Sequence, residues 1–380
     1  MSAERLFQPL QLGHCELKHR MVMAPLTRFR GTMDHTPGQH AKEYYEQRAS
    51  VPGTLIITEA TFISPQAGGY NHVPGIWNDK QIQAWKEIVD AVHAKGSFIW
   101  LQLWALGRAA GTEAAAGNLQ REGPFPVVSS SAVPINSEYE EPKALTEEEI
   151  QGFVRDYANG ARNAVKAGFD GVEIHGANGY LIDQFWQDIC NVRNDSYGGS
   201  IETRARFGLD VTKAVIEAVG GDSKKVGMRL SPWSPFQGMG MKDPIPQFSH
   251  IVRELKDLQL AYLHLVESRV SGTSADGVYN AVTRENDPFV EIWGTAAPII
   301  LAGGFDPVKA KRVMSEVYTA ENVMVAFGRY FISTPDLPFR IQHGVELNAY
   351  DRKTFYKPEV AEGYVDYPFS EEFKAAGSKL

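Results

Sequence analysis

Gly171-Val172-Glu173-Ile174-His175-Gly176-Ala177-Asn178-Gly179-Tyr180 is a short apolar run that closes on three polar side chains. Val172 and Ile174 suit a strand, and Gly176 and Gly179 permit a tight backbone that aims His175, Asn178 and Tyr180 into one pocket. Imidazole and carboxamide N–H groups polarise a carbonyl, while a phenol, with an ordinary pKa of about 10, is a neutral acid at physiological pH. The stretch also reads as a capped strand end with an incidental tyrosine, since buried histidines are often no more than hydrogen-bonded core residues.

Seven further apolar runs of similar length flank it: Val22 to Leu26, Leu55 to Glu59, Phe98 to Leu103, Val226 to Leu230, Tyr262 to Val266, Ile299 to Ala302 and Val323 to Phe327. Most are continuously apolar, as parallel strands covered by helices are. Between them lie helical patterns: Ile82, Trp85, Ile88, Val89 and Val92 ahead of Gly96, a capping box at Thr146-Glu147-Glu148-Glu149, and stretches Ile201 to Val219, Pro246 to Leu258 and Pro307 to Val317. Eight strand–helix alternations close most economically as an α/β (β/α)₈ TIM barrel, one domain over 1–380, with its site at the strand C-termini. An open doubly wound sheet is the alternative, weakened because no Gly-x-Gly-x-x-Gly or P-loop follows any strand. Residues 106–144 read as a lid-like loop after the third strand, and 366–380 as a tail.

Composition narrows the function. A hydrophobic fraction of 43% with 22% charged residues is that of a globular enzyme, and a net charge of -8 without a basic cluster argues against nucleic-acid or anionic-membrane partners. Cys15 and Cys190 are too few for a disulfide framework, a Cys-ligated zinc or an iron–sulfur cluster. No apolar span is long enough to cross a membrane and Met1 to Arg5 lacks a signal-peptide pattern. Ser378-Lys379-Leu380 is the peroxisomal address tripeptide, so peroxisomal import by a receptor is expected, otherwise a cytoplasmic protein.

The expected strand ends carry ligand-binding residue types: Pro25-Leu26-Thr27, Ala60, Gln102, His175 with Asn178, Arg229, Gly303-Gly304 and Gly328-Arg329. Glycines and a cation after strands seven and eight suit a phosphate, though paired glycines at a βα turn also serve plain turn geometry. Gln102 and Arg229 face a barrel axis, where they suit a flat heterocycle; a buried Arg needs an anionic partner, either a carboxylate or a cofactor that turns negative on reduction.

These residues resemble the Old Yellow Enzyme family of flavin-dependent ene-reductases over nearly the whole chain. The resemblance runs through Phe7-Gln8-Pro9-Leu10, Ala24-Pro25-Leu26-Thr27-Arg28, Glu43 to Ala49, Val73-Pro74-Gly75-Ile76, Gln102-Leu103-Trp104, His175 to Phe185, Asn191 to Ser200, Arg229-Leu230-Ser231-Pro232 and Phe327-Gly328-Arg329. It implies noncovalent FMN reduced by NADPH and reoxidised by an activated alkene. By resemblance Pro25, Leu26, Thr27, Ala60, Gln102, His175 and Arg229 surround the flavin, and Gly303, Gly304, Gly328 and Arg329 hold its phosphate. His175 and Asn178 hold the substrate oxygen, Tyr180 protonates the α-carbon, and Tyr70, Trp104, Phe236 and Tyr356 line the substrate pocket. Asn178, in place of a second histidine, is similar to the yeast and fungal type. The family pattern leaves a monomer or a homodimer open. Two rivals stand beside it: a cofactor-free aldolase or isomerase, for which Glu59, Glu173 and Glu267 are the nearby carboxylates and none has an obvious partner, and a flavin protein without net turnover.

Overall fold

The computed structural model describes residues 5–268 and 285–377. Eight parallel strands form a closed ring: β1 (Met21–Met23), β2 (Leu55–Ile57), β3 (Phe98–Trp104), β4 (Gly171–Gly176), β5 (Val226–Leu230), β6 (Tyr262–Val266), β7 (Ile299–Ala302) and β8 (Val323–Phe327). β8 pairs back onto β1 through Val325 and Met21, Ala326 and Val22, and Phe327 and Met23, which closes the barrel and excludes the open sheet. Most strand boundaries fall within one residue of expectation, and two ends differ by more. β1 stops at Met23 and β2 at Ile57, two or three residues early, because Pro25 has no N–H for a ladder and the chain turns outward into the site.

Continuous apolar character follows from burial on both faces. Val22, Leu55, Ile57, Trp100, Tyr262, Ile300 and Met324 point inward, whereas Met21, Ile56, Ile99, Leu101, Val172 and Leu263 meet the helices. An antiparallel hairpin, Leu10–Leu12 with Cys15–Leu17, adds Leu12, Cys15 and Leu17 to the inner cluster and so joins the apolar half of the core. Farther along the same inner faces the residues turn polar: Gln102, Glu173, His175, Arg229 and His264. That switch along each strand sets the depth of the site.

The helix expected after the capping box at Thr146 begins there. Thr146 accepts from the Glu149 backbone and Glu149 returns the bond, opening Glu147–Ala167, which ends on Gly168 in the left-handed region. Asn78 and Gln81 form a second such box ahead of Asp79–Ala94. Residues 106–144 hold more order than a loop: Thr112 caps a helix at Glu113–Glu122, and Val128–Ser129 pairs with Lys143–Ala144. At the end of the described chain, Ser370 donates to Asp336 at 2.6 Å and Glu371–Gly377 is helical. Ser378-Lys379-Leu380 lies outside the described residues.

The segment before that end is clasped to the region just after β1. Arg28 donates to the carbonyls of Phe355 at 3.1 Å and Gly363 at 2.7 Å, and Arg30 to those of Thr354, Val360 and Glu362. Arg48 reaches the Tyr364 carbonyl at 3.0 Å, and the Tyr364 ring stacks on Tyr44 at 4.0 Å.

Candidate active site

The polar ends of the strands open into a cavity of about 540 Å³. Its wall brings together Pro25, Leu26, Thr27, Ala60, Gln102, His175, Asn178, Arg229, Gly304, Gly328 and Arg329, with Tyr70, Trp104, Tyr180, Phe236 and Tyr356. Gly303 stands next to Gly304 in the chain without forming part of that wall.

The turn after β4 is built around two left-handed residues, Asn178 at φ 58 and Gly179 at φ 73. The freedom expected of Gly176 is therefore not conformational: it continues the strand, and a Cβ there would lie 2.5 Å from the Trp186 ring. Ser231 accepts from the Asn178 backbone N–H at 2.7 Å, and the Gln237 amide donates to the Asn178 carbonyl at 3.0 Å. Gln237 is itself left-handed, and Arg108 donates to the carbonyls of Gln237 and Gly238 at 3.1 Å each and of Val133 at 3.0 Å. The loop after β4 is thus held by the loop after β5, and both by segment 106–144. Sequence alone flagged neither Arg108 nor Gln237; the left-handed Gln237 carried no glycine to mark it.

His175 is buried, and its pKa is driven well below the usual imidazole value, first by burial and then by the charges of Arg229 and His264. A neutral ring is a hydrogen-bond donor on one nitrogen only, and Nδ1 has no partner among the described residues. Tyr180 packs edge-on against Trp104 at 4.7 Å and His175 at 5.0 Å. Burial raises the Tyr180 phenol, with Gln237 opposing by a hydrogen bond, so the group stays protonated well above its ordinary range. His175, Asn178 and Tyr180 consequently present two neutral donors and a neutral acid to one space.

On the axis Glu173 accepts from Gln102 Nε2 at 2.7 Å, from the Tyr262 hydroxyl at 3.0 Å and from His264 Nδ1 at 2.7 Å. This corrects the expectation that the three carboxylates lack partners. Glu59 also has them, receiving the Arg28 N–H and the Tyr45 hydroxyl at 3.4 Å each, and Asn286 reaches Glu267 at 3.4 Å. None of the three lines the cavity, and no lysine does among the described residues, which removes the groups an aldolase needs. Arg229 lies deep in the protein, yet its remaining exposed surface faces the cavity; its Nε has no partner, and burial lowers its pKa against the pull of Glu173.

At the far end Gly304, with φ 63, and Gly328 leave room beside Arg329, whose guanidinium lies 3.1 Å from the Tyr350 hydroxyl. An added Cβ at Gly304 would meet only Arg329, at 3.7 Å. Glycine backbone next to a cation suits a phosphate, and an axial Arg with an unpartnered buried N–H suits a ring system that gains negative charge. The donor set therefore fits FMN. Tyr70, Trp104 and Phe29 form the aromatic side, Tyr70 donating to the Ala109 carbonyl at 3.1 Å, and Tyr356 stands at the mouth, 48% exposed. Phe29, Arg352 and Phe355 also line the cavity and were missed, being delivered by irregular segments with no strand-end signal.

The family described as NADH:flavin oxidoreductase / NADH oxidase matches residues 5–348. A chanoclavine-I aldehyde reductase of Penicillium roqueforti is 55% identical over 98% of this chain and 98% of its own. A probable inactive reductase of Epichloe festucae is 52% identical over 100% of this chain and 99% of its own. The crystal structure of Old Yellow Enzyme from Pichia superimposes with a TM-score of 0.86 at 41% identity, covering 97% of this chain and 94% of that one.

Proposed function

The chain belongs to the NADH:flavin oxidoreductase / NADH oxidase family, whose members use FMN with NAD(P)H as reductant, and on that premise we propose that it reduces the C=C bond of α,β-unsaturated carbonyl or nitro compounds. The observation that carries this reading is the convergence of His175, Asn178 and Tyr180, two donors and a neutral acid, on the cavity that Arg229 and Arg329 also face. FMN, when bound, would supply the hydride chemistry that links NAD(P)H to the β-carbon of the substrate. Gln102 and Arg229 would hold the pyrimidine edge, Thr27 the opposite carbonyl, and Pro25, Leu26 and Ala60 the adjacent wall; Gly304, Gly328 and Arg329 would hold the phosphate, with Gly303 shaping the turn behind them.

His175 and Asn178 donate to the substrate oxygen and stabilise the negative charge that develops there, each such donor contributing roughly 2.7–4 kcal/mol. A neutral imidazole serves this role without giving up its proton. Tyr180 transfers its phenolic proton to the α-carbon, which balances the hydride gained at the β-carbon. The name of the Penicillium relative supports a carbonyl-bearing substrate. That of the Epichloe relative favours a second reading, flavin binding without net turnover; the presence of Tyr180 supports the first.

The experiment is a two-step anaerobic titration after the released chromophore has been identified as FMN. NADPH should bleach the flavin and cyclohexenone should restore it with formation of cyclohexanone. Bleaching without recovery selects the turnover-free reading, and absence of FMN refutes both. We also propose that Ser378-Lys379-Leu380 directs the protein to peroxisomes.

A further inference from the structure

Glu173 is a fully buried charge that the reaction itself does not use. It lies on the inner face of β4, two residues before His175, behind the cavity wall. An ionised carboxylate in the interior is costly unless its lone pairs are filled, and here Gln102, Tyr262 and His264 fill three of them. Burial pushes its pKa up, but His264, Arg229 and Gln102 outweigh that and hold it below the usual carboxylate range.

Two consequences follow from a carboxylate being an acceptor only. The Gln102 amide must turn its NH₂ to Glu173, which leaves the amide oxygen for the cavity. The Arg229 charge, in turn, acts on the cavity together with an opposite charge close behind it. A guanidinium alone favours an anionic reduced ring; a guanidinium backed by a carboxylate favours it less.

We propose that Glu173 is a positioning and charge-balancing residue, which fixes the Gln102 amide with its oxygen towards the flavin and offsets Arg229, thereby lowering the reduction potential of bound FMN. This rests on the FMN part of the proposed function and is independent of the alkene. Glu173→Gln is the direct test. Its oxygen can accept from Gln102 while its NH₂ donates to His264 Nδ1, the proton of that ring moving to Nε2, which has no partner now. Shape and hydrogen bonds persist and the charge is lost.

Dye-equilibration potentiometry should show the midpoint of the Glu173→Gln flavin raised by about 30 mV or more, a tenfold shift in a two-electron equilibrium at 29.6 mV per decade. An unchanged or lower midpoint overturns the proposal. Should that variant lose its flavin, Tyr262→Phe replaces it: with one donor gone, Glu173 takes up a proton at higher pH. The groups facing it are Arg229 on β5, Tyr262 and His264 on β6, and Gln102 on β3. The midpoint of Tyr262→Phe should then rise above that of the parent enzyme as pH falls to about 4.5, the ordinary glutamate value, and parallel profiles down to that pH overturn the proposal. Chromophore release from each variant reports the cofactor separately, so a missing FMN is not confused with a misassigned Glu173.

Discussion

Replacing Tyr180 by Phe removes one oxygen and leaves a packed ring. The ring contacts, to Trp104 at 4.7 Å and to His175 at 5.0 Å, involve no hydroxyl, so the pocket and the oxygen-holding pair stay in place. The acid is lost, and with it one hydrogen bond to Gln237, while the Gln237 bond to the Asn178 carbonyl remains. General acid catalysis contributes roughly 10²–10⁴ in rate, which corresponds to about 2.7–5.4 kcal/mol of barrier at 1.36 kcal/mol per decade. Anaerobic stopped-flow should show NADPH bleaching the flavin at near the parent rate, while recovery with cyclohexenone slows by that factor. Because burial keeps the phenol protonated, the parent recovery rate should carry no Tyr180 titration between about pH 6 and 9. A nitroalkene should lose far less, since its nitronate is a stable anion that water can protonate after release. Equal losses for enone and nitroalkene would refute the assignment and leave Tyr180 as a wall residue.

Arg108→Met leaves the carbonyls of Val133, Gln237 and Gly238 without their cation, and thermal or urea unfolding should show a loss of about 2–4 kcal/mol. Burial pushes Glu59 up to about 7 from an unfolded value of 4.5, so the folded state binds the proton more tightly. Its contribution is complete below about pH 4.5 and is lost as pH rises to about 7, a fall of a few kcal/mol, and Glu59→Gln should flatten the stability–pH curve in that window relative to the parent. A fluorescent protein followed by this chain and ending in Ser378-Lys379-Leu380 should become punctate with peroxisomes in a eukaryotic cell, and removal of the tripeptide should disperse it without changing the activity of the purified enzyme; diffuse fluorescence of the intact fusion would refute the address.

The barrel was legible because each of its strands is buried on both sides, so runs such as Ile299 to Ala302 carry no polar interruption. Three-residue strands such as Leu10–Leu12 are too short to show a period, and the helix at Glu113–Glu122 was hidden by an alanine- and glycine-rich composition although Thr112 marked its start. Strand ends announced Gln102, His175 and Arg229 directly. The partners of Glu173 could not be read, because Gln102, Tyr262 and His264 stand 71, 89 and 91 residues from it and only closure of the ring makes them neighbours. Phe355 and Arg352 were invisible for a related reason: their place is set by backbone carbonyls around them, which no side-chain pattern encodes.

That clasp bears on when the enzyme can first hold its cofactor. Arg28, Arg30 and Arg48 are synthesised more than three hundred residues ahead of the carbonyls they grip between Thr354 and Tyr364. Until then those three guanidinium groups lack these carbonyl partners, and the side of the cavity formed by Arg352, Phe355 and Tyr356 does not exist. The cavity is therefore complete only once the segment 352–364 has docked, and closure of the barrel alone leaves one of its sides open.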